Sequence, residues 1–197
     1  MEQETLQNLF VEQIRDLYDA EKQLVKALPK LAKAADSEEL AEAIRNHLQE
    51  TQNHVSRLEQ VFGTVGVGAK GKPCKAMKGL IEEGNEAIQE EEDGALRDLA
   101  IIAGAQKVEH YEMSGYGTVR TLAEHLGLNE AVELLQQTED EEKEADAKLT
   151  EVAMSLYASS GEEENGGEEN GEADNEGEMQ TVGSSRSGNK SKNTRRR

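Results

Sequence analysis

A chain of 197 residues with 41 acidic against 22 basic side chains carries a net charge of −19, the wrong sign of surface for displacing counterions from a nucleic-acid backbone. With no Trp, two Pro and only two Phe and four Tyr, it is composed for helices and not for sheet. A single cysteine, Cys74, excludes an intrachain disulfide and a thiolate metal cluster, and no stretch approaches the roughly 18 apolar residues of a membrane span.

The start, MEQETLQNLF, has neither the basic segment nor the apolar run of a secretory signal, so a cytoplasmic location is expected. Leu6, Leu9, Phe10, Ile14, Leu17, Leu24, Leu28 and Leu31 recur mostly at three- and four-residue steps and predict a long helix over 3–35. Pro29 lies inside it, removes one backbone donor and is expected to bend it. Asp36 is placed to cap the next helix, with Glu39 as its capping-box partner. Leu40, Ile44, Leu48, Val55, Leu58 and Val61 carry that second helix to about Phe62.

GTVGVGAKGKP (63–73) breaks the pattern, and CKAMKGLIEEGNEAIQ (74–89) predicts a shorter helix. After EEEDG (90–94) a third long helix is expected over about 95–126, closed by Gly127 in the left-handed conformation. Asn129 is placed to cap a fourth, about 130–157, with Ala131, Leu134, Leu135, Leu149, Val152, Ala153 and Leu156 on its inner side.

Two helix pairs with short joins, linked by a long crossover carrying its own short helix, define an all-α, ferritin-like four-helix bundle over residues 1–157. A loose internal repeat supports two related hairpins: at an offset of 91, Glu21 falls on Glu112, Ile44 on Leu135, Glu50 on Glu141 and Leu58 on Leu149. From Ala158 the composition changes. The last stretch, 158–197, holds nine acidic and six basic residues, a net of −3 that leaves −16 on the bundle. It cannot bury enough apolar surface to offset its ordering entropy and reads as a disordered tail, acidic then basic, solubilising or folded back on itself by charge.

Several polar groups fall on the inward stripes. Glu21 is four residues after Leu17 and three before Leu24; His47, Glu50 and His54 share one face of the second helix; Glu109, Glu112 and Tyr116 share one of the third. In the acidic run EDEEKEAD (139–146), Glu142 lies seven residues from both Leu135 and Leu149, with Asp146 one turn on. An antiparallel bundle brings such mid-helix carboxylates to one level, where they repel unless protonated or neutralised. A pair of iron or manganese ions suits an oxygen-rich site with one or two imidazoles. The pattern departs from the usual Glu-x-x-His of di-metal bundles: Glu50 and His54 are four apart, and the fourth helix offers no histidine.

LYDAEKQLVKALPKLAKAA (17–35), HLQETQNHVSRLEQVF (47–62), CKAMKGLIEEG (74–84), QKVEHYEMSGYGTVRTLAEHLG (106–127) and EEKEADAKLTEVA (141–153) resemble the YciE/YciF-type ferritin-like stress proteins of bacteria, in that order and over most of residues 17–153. The resemblance implies a ferritin-like bundle, a homodimer, a link to stress responses, and a di-iron or di-manganese centre. Carried over to this chain, the ligands would be Glu21, Glu50, His54, Glu109, Glu112 and Glu142 with Glu141 or Asp146; His47 would be a supporting group. Glu139 stands where an apolar residue is expected, and His110 and His125 lie off the face.

The expected function is therefore a metal-binding stress protein acting on peroxide or oxygen. The alternative is a non-enzymatic interaction protein whose polar core only fixes helix register, with no nucleic-acid or membrane partner in either case. An iron-storage shell has no support in the sequence. Lys72 and Lys75 beside Cys74 could lower its pKa, but no histidine near it in sequence completes a nucleophilic pair.

Overall fold

The computed structural model describes residues 3–90 and 94–165. Its elements are all helical: α1 (Gln3–Ala34), α2 (Glu38–Thr64), α3 (Lys75–Glu90), α4 (Ala95–Leu126) and α5 (Asn129–Asn165). Each long helix packs on two others in the ring order α1, α2, α5, α4, while the short α3 lies against α1 and α4. This is the expected ferritin-like bundle with its crossover helix.

Local chemistry sets the joins. Gly127 adopts φ 72° and closes α4, while the Leu128 N–H reaches back to the Ala123 carbonyl at 3.0 Å, a Schellman ending. The α1–α2 join departs from expectation. Ser37, and not Asp36, caps α2, its hydroxyl accepting from the Leu40 N–H at 3.4 Å. Asp36 is drawn away to the start of α4, where its carboxylate accepts from the Gly94 N–H at 2.6 Å and pairs with Arg97. The buried Asp98 of α4 returns the contact, accepting from the Asp36 N–H at 2.8 Å and the Ser37 N–H at 2.7 Å.

The crossover between hairpins is tied to α1. Lys72 N–H donates to the Arg15 carbonyl, and Cys74 N–H donates to Asp19. α5 extends to Asn165, beyond the expected end near 157. The expectation of a disordered tail otherwise falls on residues 166–197, outside those described.

Apolar burial is split into two clusters. One packs Leu24, Leu28, Leu40, Ile44, Met77, Ile101 and Leu149; the other packs Phe10, Ile14, Leu58, Phe62, Tyr116, Val119 and Leu135. Complete burial of a side chain such as Phe10 or Phe62 contributes about 1.5–3 kcal/mol. Between the clusters the bundle interior is polar.

Candidate metal centre

The polar belt is built by the same three-four rhythm that builds the core. On α2 the inward line runs Ile44, His47, Thr51, His54, Leu58; on α1 it runs Leu17, Glu21, Leu24; on α4 Glu109, Glu112, Tyr116; on α5 Leu135, Thr138, Glu142. Glu21, His54, Glu112 and Glu142 are fully buried, and Glu109 and His47 nearly so. Among the described residues two sets of mutually close donor atoms result, each with every pair within 4.8 Å: His47, Glu109, Glu112 and Glu142, and Glu21, His54 and Glu142. Glu142 belongs to both.

His54 presents Nδ1 to Glu142 at 3.1 Å and to Glu21 at 3.4 Å, without hydrogen-bond alignment to either. Its Nε2–H donates to Glu141 at 2.9 Å. Glu141 is clamped in turn by Arg57, whose Nη2 lies 2.8 Å from its Oε1, and the same guanidinium reaches Thr138 at 3.1 Å. An imidazole held by a carboxylate on one nitrogen, with the other facing inward, is the usual arrangement of a metal-binding histidine. His47 Nε2 lies 3.4 Å from Glu109, and the Tyr116 hydroxyl donates to Glu21.

Without a cation the belt is balanced by protons. Burial disfavours a charged His54, but the Glu142 and Glu21 carboxylates more than reverse this and push its pKa up to about 11. For His47, burial is likewise outweighed, chiefly by Glu109, and the pKa rises to about 9. Burial raises Glu109 to about 8 and Glu112 well above the usual carboxylate range, the latter helped by the charges of Glu21, Glu142 and Glu109. Glu141, outside the belt, goes the other way: burial would raise it, but Arg57 and His54 hold it below the usual range.

These residues could hold a metal ion. Glu21 Oε2, Glu109 Oε2, both oxygens of Glu112 and of Glu142, both nitrogens of His47 and Nδ1 of His54 are buried with no hydrogen-bond partner. Groups so placed are costly unless a cation or proton satisfies them. Four carboxylates with two imidazoles form the hard, oxygen-rich set that iron and manganese prefer.

Of the residues expected from sequence, Glu21, His54, Glu109, Glu112 and Glu142 converge here, joined by His47. Glu50 and Asp146 do not. Glu50 is half-exposed, 3.6 Å from His47 Nδ1, and Asp146 accepts from Gln106 Nε2 at 3.0 Å on the α4–α5 surface. Thr51, three before His54, occupies the place of the glutamate in Glu-x-x-His, and its hydroxyl donates back to the His47 carbonyl at 2.8 Å. At the 91-residue offset Thr51 matches Glu142, so the first hairpin lacks the carboxylate that the second supplies. Glu139, the residue out of pattern, is neutralised by Arg120 and Lys143. Cys74 is buried against Tyr111 and Asp16, and burial pushes its thiol pKa up, opposite to the effect expected of the neighbouring lysines.

A family model described as a domain of unknown function, DUF892, matches residues 5–160. The chain belongs to this family. Among DUF892 relatives, protein YciF of Escherichia coli K12 is 47% identical over 156 residues, 79% of this chain and 94% of that one. The crystal structure of the E. coli stress protein YciF superposes with a TM-score of 0.75 at 46% identity, covering 78% of this chain and 97% of that one. YcfI of Rhodopseudomonas palustris, a proposed structural protein, gives a TM-score of 0.72 at 42% identity, covering 74% and 92%. A Xanthomonas campestris protein at 19% identity and TM-score 0.61, covering 81% and 99%, shares the fold.

Proposed function

We propose that this DUF892 protein is a stress-response protein whose bundle centre holds two iron or manganese ions. The observation that carries this reading is the set of buried, unpartnered donor atoms in two groups joined through Glu142. Such ions, when bound, would supply the electrons that reduce peroxide or dioxygen. The chain's own residues would do the rest. His54 is oriented by Glu141 and Arg57, and Tyr116 by its bond to Glu21. Glu109, which burial keeps protonated when no cation is bound, would give up that proton to hold an ion.

The stress assignment rests on similarity to the E. coli stress protein, and a cytoplasmic homodimer is part of the same proposal. None of the described helices is long and apolar enough to cross a membrane. The test is metal analysis of protein purified from iron- and manganese-supplemented cells, followed by peroxide consumption by the reduced form. Two ions per chain and consumption support the reading; metal-free protein that refuses added Fe(II) and Mn(II) removes it.

A second reading is favoured by Thr51 standing in place of a glutamate, and by the ability of the imidazolium–carboxylate pairs to neutralise one another. In it the belt fixes helix register, and function lies in dimerisation or partner binding. Its signature is a wild-type protein whose melting temperature is indifferent to added metal, and whose partners in a pull-down change when 158–197 is removed.

A further inference from the structure

A cavity of about 530 Å³ opens between α2 and α5 and ends on His47 and Glu109. Glu42 and Glu50 of α2 and Glu144 of α5 line it, with Glu39, which Lys148 pairs at 2.9 Å. Leu28, Leu31 and Ala105 give it an apolar floor. At its inner end His47 is buried, with neither nitrogen hydrogen-bonded, and Glu50 stands 3.6 Å in front of it. On the opposite side, beneath α3, a cavity that also reaches His47 and Glu109 measures only about 50 Å³.

We propose that this cavity is the uptake port for the divalent cations of the centre, with Glu50 as the capturing carboxylate at its mouth and His47 as the first donor inside. The inference rests on the metal reading above and gives Glu50 a role apart from coordination in the filled site.

Size and charge both favour it. An ion with six waters, at about 30 Å³ each, needs roughly 180 Å³ and fits without shedding its shell. The excess of carboxylates focuses a negative potential in a low-dielectric cleft, which attracts cations and repels anions. Glu50 lies 3.6 Å from His47, so a captured ion can pass directly to it and lose its waters at His47 and Glu109, where unpartnered donors wait.

Metal-free protein is mixed with Mn(II), quenched with excess EDTA at intervals, desalted, and its bound manganese counted. In Glu50→Gln the loading rate should fall about tenfold at low ionic strength, with the gap narrowing in salt. Final manganese per chain should equal that of the wild type. Ala145→Phe, which narrows the cavity without changing charge, should slow loading at every salt concentration. Glu133→Gln on the outer surface should load like the wild type. An unchanged rate in Glu50→Gln, or a lower final content marking Glu50 as a ligand, overturns the port while leaving the metal centre standing. Failure of the wild type to take up manganese overturns the port and the metal reading together.

Discussion

Glu141 and Glu142, neighbours on α5, hold opposite edges of one imidazole: the first accepts from His54 Nε2 at 2.9 Å and the second faces Nδ1 at 3.1 Å. A single helical step of about 100° sends one carboxylate to Arg57 and the other into the sealed interior. The first fixes the ring; the second is a donor shared by both groups.

Glu142→Gln tests that sharing. The variant should lose the melting-temperature rise that Fe(II) or Mn(II) gives the wild type. At a hundredfold excess over the dissociation constant that rise is about 2.7 kcal/mol, or roughly 5–10 °C in a domain of this size. Without metal, the amide removes a charge that repels Glu112 but also the partner of the His54 imidazolium at 3.1 Å. Its melting temperature should therefore stay within a few degrees of the metal-free wild type. A large loss of metal-free stability would instead mark the belt as a structural network. Calorimetry with and without metal separates these outcomes.

The pH dependence of the metal-free protein follows from two shifts of the same sign. His47 rises from 6.5 unfolded to about 9 folded, so its contribution is complete below about 6.5 and is lost as pH climbs through 9. Glu109 rises from 4.5 to about 8, because burial keeps the folded carboxyl protonated while the unfolded one ionises. Stability therefore falls between those values as well. Melting temperature without metal should decline steadily from about pH 5 to pH 9. Metal must displace these protons, so the increment it gives should grow over the same range.

Asp98 holds the α1–α2 turn by two charge-assisted hydrogen bonds to the Asp36 and Ser37 N–H groups. Removing it in Asp98→Ala should cost about 3 kcal/mol, since it leaves two donors without their acceptor. Asp98→Asn should recover only part of this, because its NH₂ group can accept from neither. Urea unfolding of the three proteins gives the comparison.

Two glycines on α4 should respond oppositely to alanine. A Cβ on Gly115 would sit 2.7 Å from Leu17 Cδ2, and Leu17 is buried in the core with little room to yield. Gly115→Ala should destabilise by about 1–3 kcal/mol. At Gly104 the nearest atom is Gly84 Cα at 3.6 Å, an ordinary contact. There the gain in helix propensity should stabilise by up to about 1 kcal/mol. Thermal melts of the two variants check the pair.

The architecture was legible because hydrophobic spacing, the Gly127 stop and the length of the middle connection each point to the same bundle. The burial of two carboxylates was legible, Glu21 from its place between Leu17 and Leu24 on α1 and Glu112 from the face it shares with Glu109 and Tyr116 on α4. On α2 the i, i+3, i+7 spacing of His47, Glu50 and His54 points to Glu50, one position off the buried line of His47, Thr51 and His54. Leu48 and Val55 are only partly buried, packing at the edge of the two clusters. The three-four spacing from Ile44 through His47, Thr51 and His54 to Leu58 was the available signal, hidden because its middle members are polar. Asp36 was misread because its partners, Gly94 and Arg97, lie about sixty residues away in the chain.

The placement of α3 has a consequence for traffic through the molecule. Of the four seams in the ring, the two between the hairpins, α1–α4 and α2–α5, lie on opposite sides, and small molecules could pass through either. Here the segment that must travel back along α1 to begin the second hairpin lies across the α1–α4 seam, leaving the α2–α5 seam as the roomier approach. Connectivity thus gives the molecule a front and a back. A variant in which an extended polar linker of equal length replaced α3 would be expected to keep the four long helices in place and lose that direction.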